Sequence, residues 1–315
     1  MTGRLDYRSF HDVFGVEGKL PYDQYINRDI ESKRKSLGGV LFVDRVLTAL
    51  GVSKVKIYPP REGRALHELY QQILSSKMST HHKLSALYYL LLDHDDAIGP
   101  RMKLTEKFAL QTGMPKRYQI FMRGLWHMDR LQFQVALEFL AHPSLLPEFA
   151  DNIVTVLVRH AEAGDYSLAL AYYYAVQPVL KTQEALELLF GAIAHTDVTE
   201  GLMFTRKLPN PARKQLFEQL VTFALKGSSS STGNLDVADR ATELVSLPLR
   251  NVEEAWLREF LVTGEGRKLK KAKDTMVMRK IVSGDLGLGE GKSLGGPWGM
   301  VLQGFRHGTG GHVEQ

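Results

Sequence analysis

Apolar residues recur along most of this chain at the spacing of a single helix face. In SLGGVLFVDRVLTALG, Leu37, Val40, Leu41, Leu47 and Leu50 share one stripe, and Gly51 supplies a stop, since it enters the left-handed C-terminal position without a Cβ penalty. IYPPREG breaks the pattern, because its two prolines remove backbone donors and bias the residue before each toward extended conformations. Periodicity resumes in ALHELYQQIL, HHKLSALYYLLLD and EKFALQ. In YQIFMRGLWHM, Tyr118, Phe121, Met122, Leu125 and Trp126 fall at i, i+3, i+4, i+7 and i+8, a continuous face. The pattern continues through LQFQVALEFL, DNIVTVLVRHA, YSLALAYYYAV, TQEALELLFGAIA, VTEGLMFTRK and RKQLFEQLVTFAL. Strand signals are almost absent. The short connections between these runs predict antiparallel helix pairs.

An imperfect repeat strengthens this expectation. Phe133, Ala136, Leu137 and Leu140 precede Pro143, and Tyr166, Ala169, Leu170 and Tyr173 precede Pro178; a degraded third copy has Leu202 and Met203 before Pro209. A small residue beside a large one lets helices approach closely, and the proline ends the helix. A period of about 33 residues matches one helix pair, so the expected fold class is all-α, an irregular α-solenoid of stacked helix hairpins. Residues 1–35 lack a sustained period and are expected to form an extended or partly ordered arm that could order on binding. The helical domain is placed at 36–282, with a flexible Gly/Ser loop at about 227–234 and two helices, LDVADRATELVSL and NVEEAWLREFLVTG, before a basic terminal helix at 264–282. From residue 283 to 315 there are eleven glycines, and a disordered tail is expected.

Composition narrows the function. At 315 residues and 44% hydrophobic content the chain can bury a large core. It has no cysteine, which excludes disulfides, thiolate zinc sites and a cysteine nucleophile. No run is long and apolar enough for a membrane helix, and the start lacks the apolar centre of a signal peptide. Between Gly264 and Val282, seven Lys or Arg stand against two acidic residues, a surplus equal to the net charge of +5 of the whole chain. The body is therefore neutral, and the electrostatic excess belongs to one segment.

The candidate catalytic clusters are poor ones. GEGKS, Gly289 to Ser293, ends like a phosphate-binding loop, but Leu286 stands where its first glycine is needed and no strand precedes it. Asp93 to Asp96 carry three carboxylates and His94, which point different ways on a helix, so a solvated Asp-rich helix end is expected there. His81 and His82 have no further ligands beside them. His127 and Asp129 offer a base and an orienting group with no nucleophile, and the expected reading is architectural: Trp126 and Phe133 as knobs between helices, HMDR as the turn. Tyr172 to Tyr174 are expected to divide between packing and an exposed side. No catalytic residue, cofactor, metal or small-molecule substrate is expected. The basic segment is different, since burial cannot account for it: Arg267, Lys268, Lys270, Lys271, Lys273, Arg279 and Lys280 are the candidate partner-binding residues, for an acidic partner surface or, as the alternative, DNA or chromatin phosphates.

Between residues 36 and 282, the blocks SKRKSLGGVLFVDRVLTALG, IYPP, HHKLSALYYLLLD, YQIFMRGLWHMDRLQFQVALEFLAHPSLLPEF, LALAYYYAVQP, EALELLFGAIAHTDVTEGLMFTRKLP, RKQLFEQLV and EEAWLREFLVTGEGRKLKKAKDTMVMRKI together resemble the helical domain of the ELYS nucleoporins. The resemblance implies a non-enzymatic nuclear pore subunit attached to the Y-shaped outer-ring subcomplex. Such a subunit binds other nucleoporins and supports pore assembly, protein import and mRNA export at the nuclear envelope. Long animal members add a β-propeller and a chromatin-binding region with AT-hooks; this chain has no matching segments and resembles the short fungal form.

Overall fold

A computed structural model of the chain describes residues 5–15, 20–52, 57–98, 103–226 and 234–283. The Gly/Ser loop, the glycine-rich tail and the GEGKS motif lie outside these residues. The described residues form sixteen α-helices and no strand, so the fold is all-α. The chain divides into two compact units, residues 1–189 and 190–315.

The first unit contains α1 (Phe10–Phe14), α2 (Gln24–Ser36), α3 (Phe42–Ala49), α4 (Gly63–Ser75), α5 (Thr80–Ile98), α6 (Leu104–Thr112), α7 (Lys116–Asp129), α8 (Phe133–Leu140), α9 (Ala150–Arg159) and α10 (Ser167–Val176). At its centre is α5, which packs against α3, α4, α6 and α7. Its side chains from Leu84 to Leu91 are buried on every face, which is why HHKLSALYYLLLD reads as almost unbroken apolar sequence. Around it, successive helices pair as the short connections predict, α7 with α8 and α9 with α10, and α8 also meets α10. A Cβ on Gly124 of α7 would stand 2.6 Å from the Leu140 side chain of α8, so the missing side chain is what lets these two helices touch. Ala136 and Ala169, the small members of the repeat, are fully buried.

The described part of the expected arm holds two helices. In α1, the Ser9 hydroxyl accepts from the Asp12 amide, while Phe10 and Phe14 meet Tyr70 edge-on. In α2, Asp23 caps the Ile26 amide at 2.7 Å and Lys33 pairs with Asp29 at 2.6 Å. Only Ile30 and Arg34 of α2 are buried, so a helix held by caps and ion pairs has almost no apolar stripe to read.

The division between units falls inside α11 (Gln183–Thr196), and the second unit continues with α12 (Val198–Thr205), α13 (Asn210–Leu225), α14 (Asn234–Ser246), α15 (Asn251–Arg258) and α16 (Ala272–Val282). Here the small residue of the degraded repeat is Gly201: its Cβ would come within 2.7 Å of Leu220 in α13. Leu202 is buried beside it, whereas Met203 is 41% exposed. The basic segment is not one terminal helix. After α15 a π-helical turn runs to Thr263, a short 3-10 turn follows at Glu265–Lys268, and only then does α16 begin. Gly264 and Gly266 cause the break: the Phe260 ring lies where a Cβ on Gly266 would sit, 2.5 Å from its nearest atom.

Candidate functional site

The block GLWHMDR does gather polar groups, in the middle of the first unit. The turn expected at HMDR comes later, at Arg130 to Gln132, because α7 runs through Asp129. Trp126 and Asp129 are three positions apart on that helix and so face the same way, inward. The Trp126 indole Nε1 donates to Asp93 Oδ1 at 2.9 Å. The Tyr22 and Tyr58 hydroxyls each donate to Asp93 Oδ2 at 2.7 Å. Arg130 lies 3.8 Å above the Trp126 ring and bridges Asp93 at 3.4 Å and Asp96 at 2.8 Å. Asp129 accepts the Phe42 amide at 2.6 Å, the Val43 amide at 2.9 Å and the Tyr89 hydroxyl at 2.8 Å. It thus caps α3 from another helix.

Burial sets the protonation of these groups. It pushes the three tyrosine hydroxyls well above their ordinary value, so they remain donors. It also raises Asp93, against the downward pull of Tyr22 and Arg130, and lifts Asp129 to about 7 despite the two amides and Tyr89. The expected solvated helix end is therefore corrected: Asp93 and His94 are 5% and 1% exposed, because α5 is still encased by its neighbours when it reaches them. His94 faces Phe14 at 5.3 Å, and burial lowers it to about 4. Asp95 caps α6 through the Leu104 and Thr105 amides.

The second unit holds another buried carboxylate. Glu253 is fully enclosed; it takes Arg206 at 2.6 Å and 3.0 Å, pairs also with Arg213, and accepts the Arg250 amide at 2.8 Å. Burial alone would raise its carboxyl, but the two guanidinium groups and the amide bring it down to about 2. Nearby, Arg279 donates to Glu254 and to the Val245 and Leu247 carbonyls.

That arrangement changes the list of partner-binding candidates. Arg279 is 7% exposed and its guanidinium is committed internally, so it offers nothing to a partner. Lys280 is half-buried and already engaged. Lys268 is exposed and paired with Glu265 at 2.7 Å. Arg267, Lys270 and Lys273 are exposed and Lys271 half-buried, spread over a turn and the start of α16.

An enzymatic constellation does not assemble around His127. Its ring stacks on Phe139 at 5.4 Å and its Nδ1 meets Gln132 at 2.7 Å, while Asp129 turns toward α3. Phe133 is half-buried against His160, and among the described residues no three His, Asp or Glu are placed to hold a metal ion. Tyr172 is buried and Tyr174 is 42% exposed, so the tyrosine run divides as expected. No helix among the described residues is long and apolar enough to cross a membrane.

The buried carboxylates Asp93, Asp129 and Glu253 are thus spent on holding helices together. Residues 40–264, well over half of the chain, match the family profile described as ELYS, nuclear pore complex assembly. The chain belongs to the ELYS family. It is also 25% identical over 251 residues to the uncharacterized protein ely5 of Schizosaccharomyces pombe, covering 78% of this chain and 77% of that one. ELYS is a family of nuclear pore assembly and not of enzymes, so membership implies a role in building the nuclear pore complex and a place at the pore. The ELYS match contains Asp93, Trp126, Asp129, Arg130 and Glu253, and it ends where the basic segment starts.

Sequence reading missed Tyr22, Tyr58, Tyr89 and Asp93 as members of one network, and Arg206, Arg213 and Glu253 as another. A faint signal existed for the first: an aspartate closing an apolar run, in LYYLLLD, has little chance of reaching water from a helix buried on all sides.

Proposed function

We propose that the protein is a structural nucleoporin of the pore's outer ring. It binds other nucleoporins of the Y-shaped subcomplex and, by supporting pore assembly, sustains protein import and mRNA export. The observation that carries this reading is the ELYS match across both helical units, with their buried carboxylates consumed by internal caps and ion pairs. Function is thereby left to the surfaces. Tagging the protein at its own locus and purifying it tests the proposal: outer-ring nucleoporins should co-purify at near-equal amounts, and their absence from the purified material would overturn it.

A second reading, binding to DNA or chromatin, is favoured by one observation, the exposed cations Arg267, Lys270 and Lys273. Contacts to phosphates release counterions, so affinity for duplex DNA would fall as a power of salt concentration, with a slope of about −0.9 per phosphate. Binding already lost at physiological salt would remove this reading.

A further inference from the structure

An open groove of about 600 Å³ lies in the first unit between α2 and the segment that follows α3. One wall is a face of α2, where Gln24, Arg28, Glu31, Ser32 and Lys35 recur at helical spacing; Pro59 and Arg61 form the other. Tyr22, anchored below by Asp93, closes the base.

The charges of α2 are divided unevenly. Lys33 pairs with Asp29, and Arg34 with Glu31 and Asp44. Arg28, Lys35 and Arg61 are exposed, and none has an ion pair among the described residues. These three cations are the ones that line the groove. The one carboxylate among its lining residues, Glu31, pairs with Arg34, which it shares with Asp44. A concave surface lined by three cations without an ion pair, on a body whose charges sum to zero, suits a ligand of opposite sign.

We infer that this groove is a docking site for an acidic segment of a protein partner. Arg28 and Lys35 are two helical turns apart, about 10 Å along the axis, which is the reach of about three residues of extended peptide. A peptide with carboxylates at that interval meets both cations, with Arg61 on the facing wall. A nucleic acid is disfavoured because it needs a continuous basic track, and three cations within one groove do not extend into one. The inference rests on the scaffold reading only in taking the ligand to be a protein, and it is independent of the basic segment.

The test uses the full chain and a fluorescent peptide with glutamate at every third position. Saturable binding is expected, weakened by about tenfold or more in Arg28→Glu/Lys35→Glu and little changed in Lys77→Glu, an exposed cation of the same unit that does not line the groove. Circular dichroism should be the same in all three, since these side chains carry little of the core. Absence of saturable binding, equal affinity of the double variant, or displacement of the peptide by single-stranded DNA at equal charge concentration would each overturn the proposal. Localisation at the pore is read separately in cells, so failure of the groove and failure of the scaffold reading are distinguishable.

Discussion

The two units enclose a carboxylate in opposite ways. In the first, Asp93 and Asp129 are held mainly by tyrosine hydroxyls, an indole and backbone amides, with Arg130 reaching Asp93 from the edge. In the second, Glu253 sits between two guanidinium groups. Neutral donors do not offset the cost of burying a charge, so Asp129 rises to about 7; two arginines more than offset it, and Glu253 falls to about 2. One unit therefore holds carboxyls that burial draws toward the protonated form, and the other depends on an ionised one.

Removing the charge should break this contrast most visibly. Glu253→Gln leaves Arg206 and Arg213 facing a neutral amide inside the protein and should cost about 3 to 5 kcal/mol. Asp93→Asn keeps an acceptor for the indole, and its amide nitrogen can donate to tyrosine hydroxyls that rotate to accept, so it should cost about 1 to 3 kcal/mol. Urea titrations followed by Trp256 fluorescence for the second unit and Trp126 for the first would rank them; equal losses would erase the distinction.

Smaller effects probe what the units share. Gly124→Ala and Gly201→Ala each drive a methyl into a neighbouring leucine, and each should lose about 1 to 3 kcal/mol in the same titration. A gain at either site would mean that the close approach there is not needed.

Acid sharpens the comparison further. Glu253 has a folded value below its usual 4.5, so its contribution is complete above that pH and is lost as pH falls toward 2. His94, lowered to about 4 from 6.5, likewise contributes fully above 6.5 and loses it as pH falls through 4. Asp129 runs the other way: its contribution is complete below 3.8 and is lost as pH rises through 7. His94→Leu should therefore leave the first unit gaining stability between pH 7 and pH 4.5, measured as a rising melting temperature. A falling one would contradict the raised Asp129.

The smallest effect belongs to the surface. Lys270→Ala and Lys273→Ala should change stability by no more than about 0.5 kcal/mol, whereas Arg279→Ala, from the same basic run, should cost several times that in thermal melts.

That last contrast shows where sequence stops being informative. Lys270 and Arg279 look alike in a charge count; only the packing of α16 beneath Val245 and Leu247 separates them. Helices with a dense apolar stripe, such as α4 and α7, were readable because one-sided burial itself imposes the period. The helix α2 was not, since its stability comes from an aspartate cap and ion pairs rather than apolar spacing. The networks were hidden for a related reason: their members come from positions 22, 58, 93 and 126, and only the tertiary fold brings those together.

The central claim is that this chain is a nuclear pore scaffold acting through its surfaces. Cross-linking mass spectrometry on the tagged protein in isolated nuclear pore complexes tests it most directly. The account predicts cross-links from exposed lysines, Lys35, Lys270 and Lys273 among them, to nucleoporins of the outer ring. A protein that is missing from the isolated pores, or that cross-links to histones alone, would contradict it.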